Sequence, residues 1–307
     1  MRFVALGDSI TVGMGDPMPD GSWRGWARLL ADALPATEFH NLAAAGALTA
    51  DVERAQLPRA LELRPDLAAV IVGVNDTLRG TFDPTRIAAS YAHTLGALRA
   101  TGAPVLTMRL PDPGLMFGLP GVLARPLGRR VTAVNRVLDA LADRFGTLHF
   151  DAAGHPETYD RRMWSIDRLH PSERGHRMVA GAYHDLLAAY GVGTGARPDP
   201  EPTGAPPTRR AQLHWMATKG TRWLMDRSHD LVPYLLRMAL AEMLGRNRDD
   251  VEEYCQDVEP AGLDAAGLDV TGLDVTGLDV EATEAFYPAG LASDVDQSPQ
   301  PSQRVGS

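Results

Sequence analysis

The feature that most restricts the fold of this chain is a set of short apolar runs, each separated from the next by a stretch with helical spacing. The clearest run, Asp66-Leu67-Ala68-Ala69-Val70-Ile71-Val72, has no polar residue after its first. A strand with one face in water alternates apolar with polar residues, whereas a strand covered on both faces does not. Phe3 to Leu6, Glu38 to Leu42, Pro104 to Met108 and Thr147 to Phe150 supply four more strands. Between them lie expected helices over Trp23 to Leu34, from Thr49 or Ala50 to just before Pro58, over Pro84 to Ala100 and over Arg129 to Phe145. Proline and glycine punctuate these segments: Pro35 stops the first helix and Gly102 closes the third. A last helix covers Ser172 to Tyr190. This order predicts a five-stranded parallel sheet with helices on both faces.

Beyond Tyr190 the pattern changes. Residues 191–208 are rich in glycine, proline and threonine and read as a linker, so the first domain is placed at 1–190. Residues 209–248 have amphipathic spacing with a surplus of arginine, and Pro233 is expected to start a second helix there. Such a segment suits packing on its own body or a subunit, with a membrane surface as the less favoured alternative. Residues 249–307 form an acidic, low-complexity tail in which a five-residue unit recurs from Gly262. Glycine at every fifth position opposes a helix, and the low hydrophobicity predicts disorder.

Charge is distributed unevenly. The net charge is −9, but from Asp249 onward fourteen acids face a single base, Arg304, so that segment carries −13 and Met1 to Arg248 carries +4. No concentrated basic face argues for nucleic acid. The one cysteine, Cys255, excludes an internal disulfide and a multi-thiolate zinc site, and its acidic neighbours Glu252, Glu253 and Asp257 disfavour a thiolate. With no signal-like leader and no apolar window of membrane-spanning length, the expected location is cytoplasmic.

Polar residues suited to one reaction stand at the strand ends. Val4-Ala5-Leu6-Gly7-Asp8-Ser9-Ile10 reads as a strand breaking into a tight turn that carries Ser9. Gly46 follows the second strand and Asn75 the third, while Asp167 precedes His170 by three residues just ahead of the last helix. In an open parallel sheet, ligand sites gather outside the carboxyl ends of the strands. Acyl transfer needs a nucleophile, a base, a group that orients the base, and donors for an oxyanion. Ser9, His170 and Asp167 suit the first three roles, with the Ser9 and Gly46 amides and the Asn75 side chain as donors. Read alone, Ser9 could equally cap the next helix. A metal at Asp167 and His170 would need a third ligand, and His40, His149 and His155 show no supporting pattern.

Gly7-Asp8-Ser9-Ile10, Asn41-Leu42-Ala43-Ala44-Ala45-Gly46, Gly73-Val74-Asn75-Asp76 and Asp167-Arg168-Leu169-His170-Pro171 together resemble the four sequence blocks of the SGNH (GDSL-type) hydrolases, in the same order. The C-terminal extension is similar to that of actinobacterial members. The resemblance implies a flavodoxin-like three-layer αβα sandwich and a serine esterase or acyl hydrolase without metal or cofactor, acting on small-molecule esters. It also implies Ser9, Asp167 and His170 as catalytic residues and Ser9, Gly46 and Asn75 as the oxyanion site. An acyltransferase or a deacetylase of sugars or natural products is the alternative within the same chemistry. A non-catalytic binding module is the alternative outside it, which the intact set of reactive groups disfavours. Finally, the apolar loop 111–123 is expected at the Ser9 edge, where Leu115, Met116, Phe117 and Leu119 would either wall an acyl chain or close a gap in the core.

Overall fold

β1 (Arg2–Gly7) ends at Gly7, whose φ of +147° and close approach to Ile71 leave no room for a side chain: a Cβ there would collide with the Ile71 carbonyl. The computed structural model describes residues 1–204 together with Arg237 and Leu240. All of these belong to one compact unit, Met1–Leu268, and none to the second, Asp269–Ser307.

After β1 come α1 (Ser9–Val12), α2 (Gly25–Asp32), β2 (Glu38–Asn41), α3 (Thr49–Asp51), a π-helical turn (Val52–Gln56) and α4 (Leu57–Leu63). Then follow β3 (Leu67–Ile71), α5 (Val74–Thr77), α6 (Pro84–Arg99), β4 (Val105–Arg109), α7 (Pro113–Phe117), α8 (Gly121–Phe145), β5 (Leu148–Asp151), a 3-10 turn (Arg161–Met163) and α9 (Glu173–Ala189). The five strands are parallel in the order β2-β1-β3-β4-β5, as expected for a flavodoxin-like sheet. Val4 pairs with Ala68 and Leu6 with Val70, so side chains of like direction stack across neighbouring strands.

The two faces build separate cores. Val4, Leu6, Ala68 and Val70 face α6 and α8, where Leu95, Leu98, Val134 and Leu138 are buried. Phe3, Ala5, Leu67, Ala69 and Ile71 point the other way, onto Trp26 and Leu30 of α2 and Tyr183 and Leu187 of α9. Burial on both faces is the reason these strands lack alternation.

Two expected boundaries are corrected. The helix expected to stop before Pro58 runs on to Leu63, because the π turn ends with Leu57 N–H on Val52 O, and Pro58 falls in the first turn of α4, where no N–H is required. The apolar stretch 111–123 is not a loop, for it folds into α7 and the opening of α8. Asp112 Oδ1 caps the Gly114 and Leu115 amides at 2.7 and 3.4 Å, Pro113 sits in the first turn, and Gly118 (φ +63°) closes the helix. Packing drives this: Gly114 lies so close to Ala124 that a Cβ would approach its Cα to 2.8 Å.

Residues 191–204, the described part of the expected linker, have no regular structure and lie along the body. Gly195 N donates to Ala33 O, the Arg197 guanidinium pairs with Asp185, and Arg177 Nη1 donates to Asp199 O. The expected extension 209–248 and tail 249–307 lie outside the described residues, except for Arg237 and Leu240, which are helical and exposed.

Candidate active site

Ser9 is placed by the turn that ends β1. Asp8 N donates to Ile71 O at 3.3 Å, and Asp8 Oδ1 accepts from Ile10 N at 3.1 Å, capping the single turn of α1 with Ser9 as its first residue. The Ser9 side chain is buried, and its Oγ lies 2.9 Å from His170 Nε2. These atoms are separated by 161 residues of chain.

The histidine is held by a loop that folds on Asp167. Asp167 Oδ1 accepts from the amides of Leu169 and His170 at 2.9 and 3.0 Å and from Ser165 Oγ at 2.6 Å. Its other oxygen lies 2.7 Å from His170 Nδ1. A carboxylate at Nδ1 fixes the proton there and leaves the Nε2 lone pair for the serine hydroxyl. Between the two residues, Arg168 adopts left-handed backbone (φ +55°), which costs a non-glycine residue roughly 1–2 kcal/mol. Its guanidinium reaches Phe117 O at 3.3 Å and joins this loop to α7.

Asn75 reaches both the turn before Ser9 and the residue after Gly46. Asn75 stands in α5 just after β3, and its Nδ2 donates to Asp8 Oδ2 at 3.2 Å and to Ala47 O at 3.1 Å. One amide nitrogen thus joins Asp8 to the Ala47 carbonyl. Gly46 itself has φ +79°. An open groove of about 400 Å³ borders it, with Leu42, Ala44, Ala45, Asp51 and Arg59 among its walls.

The model of the GDSL-like lipase/acylhydrolase family matches residues 5–178. The chain belongs to this family. It is a serine esterase or acyl hydrolase of carboxylic esters. No curated protein matches the sequence. Among solved structures, the acetylxylan esterase Axe2 from Geobacillus stearothermophilus is 18% identical with a TM-score of 0.50, covering 61% of this chain and 93% of its own. TesA is 25% identical with a TM-score of 0.47, over 61% of this chain and 98% of its own. The psychrotrophic esterase EstA from Pseudoalteromonas sp. is 18% identical with a TM-score of 0.46, over 61% and 96%. The likeness to Axe2 is one of fold.

In this GDSL-type hydrolase two buried carboxyls flank the site. Burial pushes Asp8 up to about 7, against the Ile10 amide bond, nearby His170 and the Asn75 amide, which favour its charge. Burial likewise raises Asp76 to about 6, opposed by the Thr49 hydroxyl and amide that it accepts at 2.8 Å and 3.2–3.3 Å. Asp167 also feels burial, but its bonds to His170 and Ser165 outweigh it and its acidity increases. Asp8 therefore braces the turn and Asp76 anchors the start of α3, close to Gly46.

Two contributors escaped the sequence reading. Gln56, in the π turn, clasps the backbone of Gly7: its Oε1 accepts from Gly7 N at 2.8 Å and its Nε2 donates to Gly7 O at 2.9 Å. His176, to which the sequence reading assigns no role, is fully buried, accepting from Trp26 N at 3.2 Å on Nδ1 and meeting Met14 O at 3.0 Å on Nε2. Burial pushes it down to about 4, so it stays neutral and structural. The four apolar candidates do not share one environment: Met116 is buried, Phe117 and Leu119 are half-buried and Leu115 is 60% exposed. His40 and His149 are engaged with Glu38 and Asp139. Among the described residues no three His, Cys, Asp or Glu side chains gather to hold a metal ion, and no helix is long and apolar enough to cross a membrane.

Proposed function

We propose that Ser9 is the nucleophile, His170 the general base and Asp167 the residue that orients it. The supporting observation is the unbroken relay of 2.9 Å from Ser9 Oγ to His170 Nε2 and 2.7 Å from His170 Nδ1 to Asp167 Oδ2. His170 takes the Ser9 proton as Oγ bonds to the ester carbonyl carbon, and the carbonyl electron pair moves onto oxygen. The tetrahedral intermediate collapses with loss of the alcohol, which leaves with the proton from His170. Water then adds to the acyl-serine, giving its proton to His170, which returns it to Ser9 as the acid departs.

The oxyanion is received by the Ser9 and Gly46 amides and by Asn75 Nδ2. Both hydrogens of Nδ2 have partners before substrate arrives, Asp8 Oδ2 and Ala47 O, so donation to the oxyanion requires one of these bonds to give way. Phe117 and Leu119, next to the end of α7 that Arg168 holds, are the proposed acyl-chain wall. A cytoplasmic location is part of the same proposal, checked by cell fractionation.

A fluorophosphonate probe tests the assignment. It is expected to label the wild-type protein on Ser9 and to leave Ser9→Ala unlabelled, with turnover of p-nitrophenyl acetate abolished and the fold intact by circular dichroism. Undiminished turnover in Ser9→Ala would refute it.

A further inference from the structure

Asn75 Nδ2, a proposed oxyanion donor, carries two hydrogens, and in the resting protein Asp8 Oδ2 accepts one at 3.2 Å and Ala47 O the other at 3.1 Å. The reaction therefore begins with this donor fully spent. Its two acceptors differ in kind. Ala47 O is a peptide carbonyl, on a residue whose own amide donates to Ala44 O at 3.1 Å, and its strength as an acceptor does not change with pH. Asp8 is a carboxyl with only 2% of its surface exposed, and it can gain or lose a proton.

The surrounding bonds fix where that proton goes. Asp8 Oδ1 accepts from the Ile10 amide at 3.1 Å and caps α1, so Oδ2 is the oxygen left to carry a hydrogen. A protonated Oδ2 faces Asn75 Nδ2 donor to donor, and the bond between them is lost. The charged form does the opposite on two counts. It grips the amide as the stronger acceptor, and it sets a negative charge beside the place where the oxyanion forms.

We propose that Asp8 is a proton-operated latch on the oxyanion site: as a carboxylate it withholds Asn75, and as a neutral acid it releases one hydrogen of Nδ2 to the substrate. The only transfer is a proton from solvent to Asp8 Oδ2; Nδ2 keeps both of its hydrogens throughout. The latch rests on Asn75 being an oxyanion donor and concerns the regulation of that site. Burial brings the exchange close to neutrality, since it pushes Asp8 up to about 7 against the Ile10 amide, His170 and Asn75. Among the described residues, the titratable groups that act on Asp8 are His170 on the catalytic loop, Asp76 on α5 and Tyr91 on α6. A charged His170 favours the carboxylate, whereas a charged Asp76, itself raised to about 6 by burial, favours the neutral acid. Tyr91 donates to Val72 O at 2.8 Å and, lifted by burial, stays neutral across this range.

Asp8→Asn mimics the released state, because its Oδ1 can keep the Ile10 amide while an NH2 takes the place of the protonated oxygen. On soluble p-nitrophenyl acetate its kcat is expected to match wild type near pH 6 and to exceed it by about tenfold at pH 9, with KM little changed. Asp8 also acts on His170 by charge, so the comparison is repeated in the Asn75→Ala background, where the ratio is expected to stay level with pH. A ratio that is flat or falls with Asn75 present overturns the proposal. So does an equal rise in both backgrounds, which would place the action of Asp8 on His170 or on the turn of Ser9. Asn75→Ala kinetics equal to wild type would remove the oxyanion assignment itself, and the latch with it. Should Asp8→Asn fail to fold, the side-chain amide resonances of Asn75 in the full-length wild-type protein, identified by their loss in Asn75→Ala, supply the test. They are expected to shift with a midpoint near pH 7, in His170→Ala as well. Resonances that stay still between pH 6 and pH 9 overturn the proposal.

Discussion

Asp8 sits between the two halves of the site, touching the turn of Ser9 and the amide of Asn75. Because its folded pKa, about 7, lies above the roughly 3.9 of an unfolded aspartate, the native state binds more protons than the unfolded state between these values. Its contribution therefore favours folding at low pH and is lost as pH rises toward 7. Asp8→Asn removes that term, so the stability of the variant relative to wild type is expected to increase as urea melts move from pH 5 to pH 8. A difference that is flat with pH would mean Asp8 titrates normally. Asn75→Ala removes one proposed oxyanion donor and is expected to lower kcat on the order of a hundredfold, with little change in KM. Unchanged steady-state kinetics would remove Asn75 from the oxyanion site.

At the scale of elements, the π turn matters because it aims Gln56 at Gly7. With the Gly7 amide and carbonyl both held by this side chain, β1 can end abruptly and release Asp8 and Ser9 into the turn. Gln56→Leu has similar volume but leaves the buried Gly7 amide unmatched, at a cost of about 1–3 kcal/mol, while the Gly7 carbonyl keeps the Ala44 amide at 3.1 Å. Denaturant melts are expected to show a loss of about 2 kcal/mol or more, whereas a loss under half of that would mean the clasp is dispensable. The helix α7 illustrates the opposite relation between sequence and structure. Its signals, Asp112 before Pro113 and Gly118 after Phe117, were written in the chain. The glycine and proline content of 111–123 nevertheless favoured a loop, because the packing of Gly114 on Ala124 joins residues whose contact no local pattern reports.

Across the described body, Glu173 ties α9 to its surroundings. Its carboxylate accepts from Arg24 at 2.8 Å, from Arg177 at 3.0 Å and from the Thr203 and Gly204 amides at 2.8 and 3.1 Å. Burial opposes its charge, but the Thr203 amide, Arg24, the Gly204 amide and Arg177 outweigh it and hold the carboxyl at about 2. A depressed carboxyl stabilises the fold above its unfolded pKa, roughly 4.3, and the stabilisation is lost as pH falls from there toward 2. Glu173→Gln is expected to lower stability at pH 7 by about 2 kcal/mol, allowing for its partial solvent screening, and to flatten the acid limb between pH 4.5 and 2. Coincident acid transitions of variant and wild type, measured by circular dichroism, would exclude this role.

The sequence by itself determined the strand–helix alternation, because burial on both faces leaves uninterrupted apolar runs that any parallel sheet needs. It also placed Ser9, Gly46 and Asn75 after strands and Asp167 and His170 just ahead of α9, since local turn chemistry is written in neighbouring residues. What only the tertiary structure decided was contact at long range: the imidazole that meets a hydroxyl across 161 residues, the glutamine behind Gly7 and the buried His176. Periodicity reports which face of an element is covered, and only packing reports what covers it.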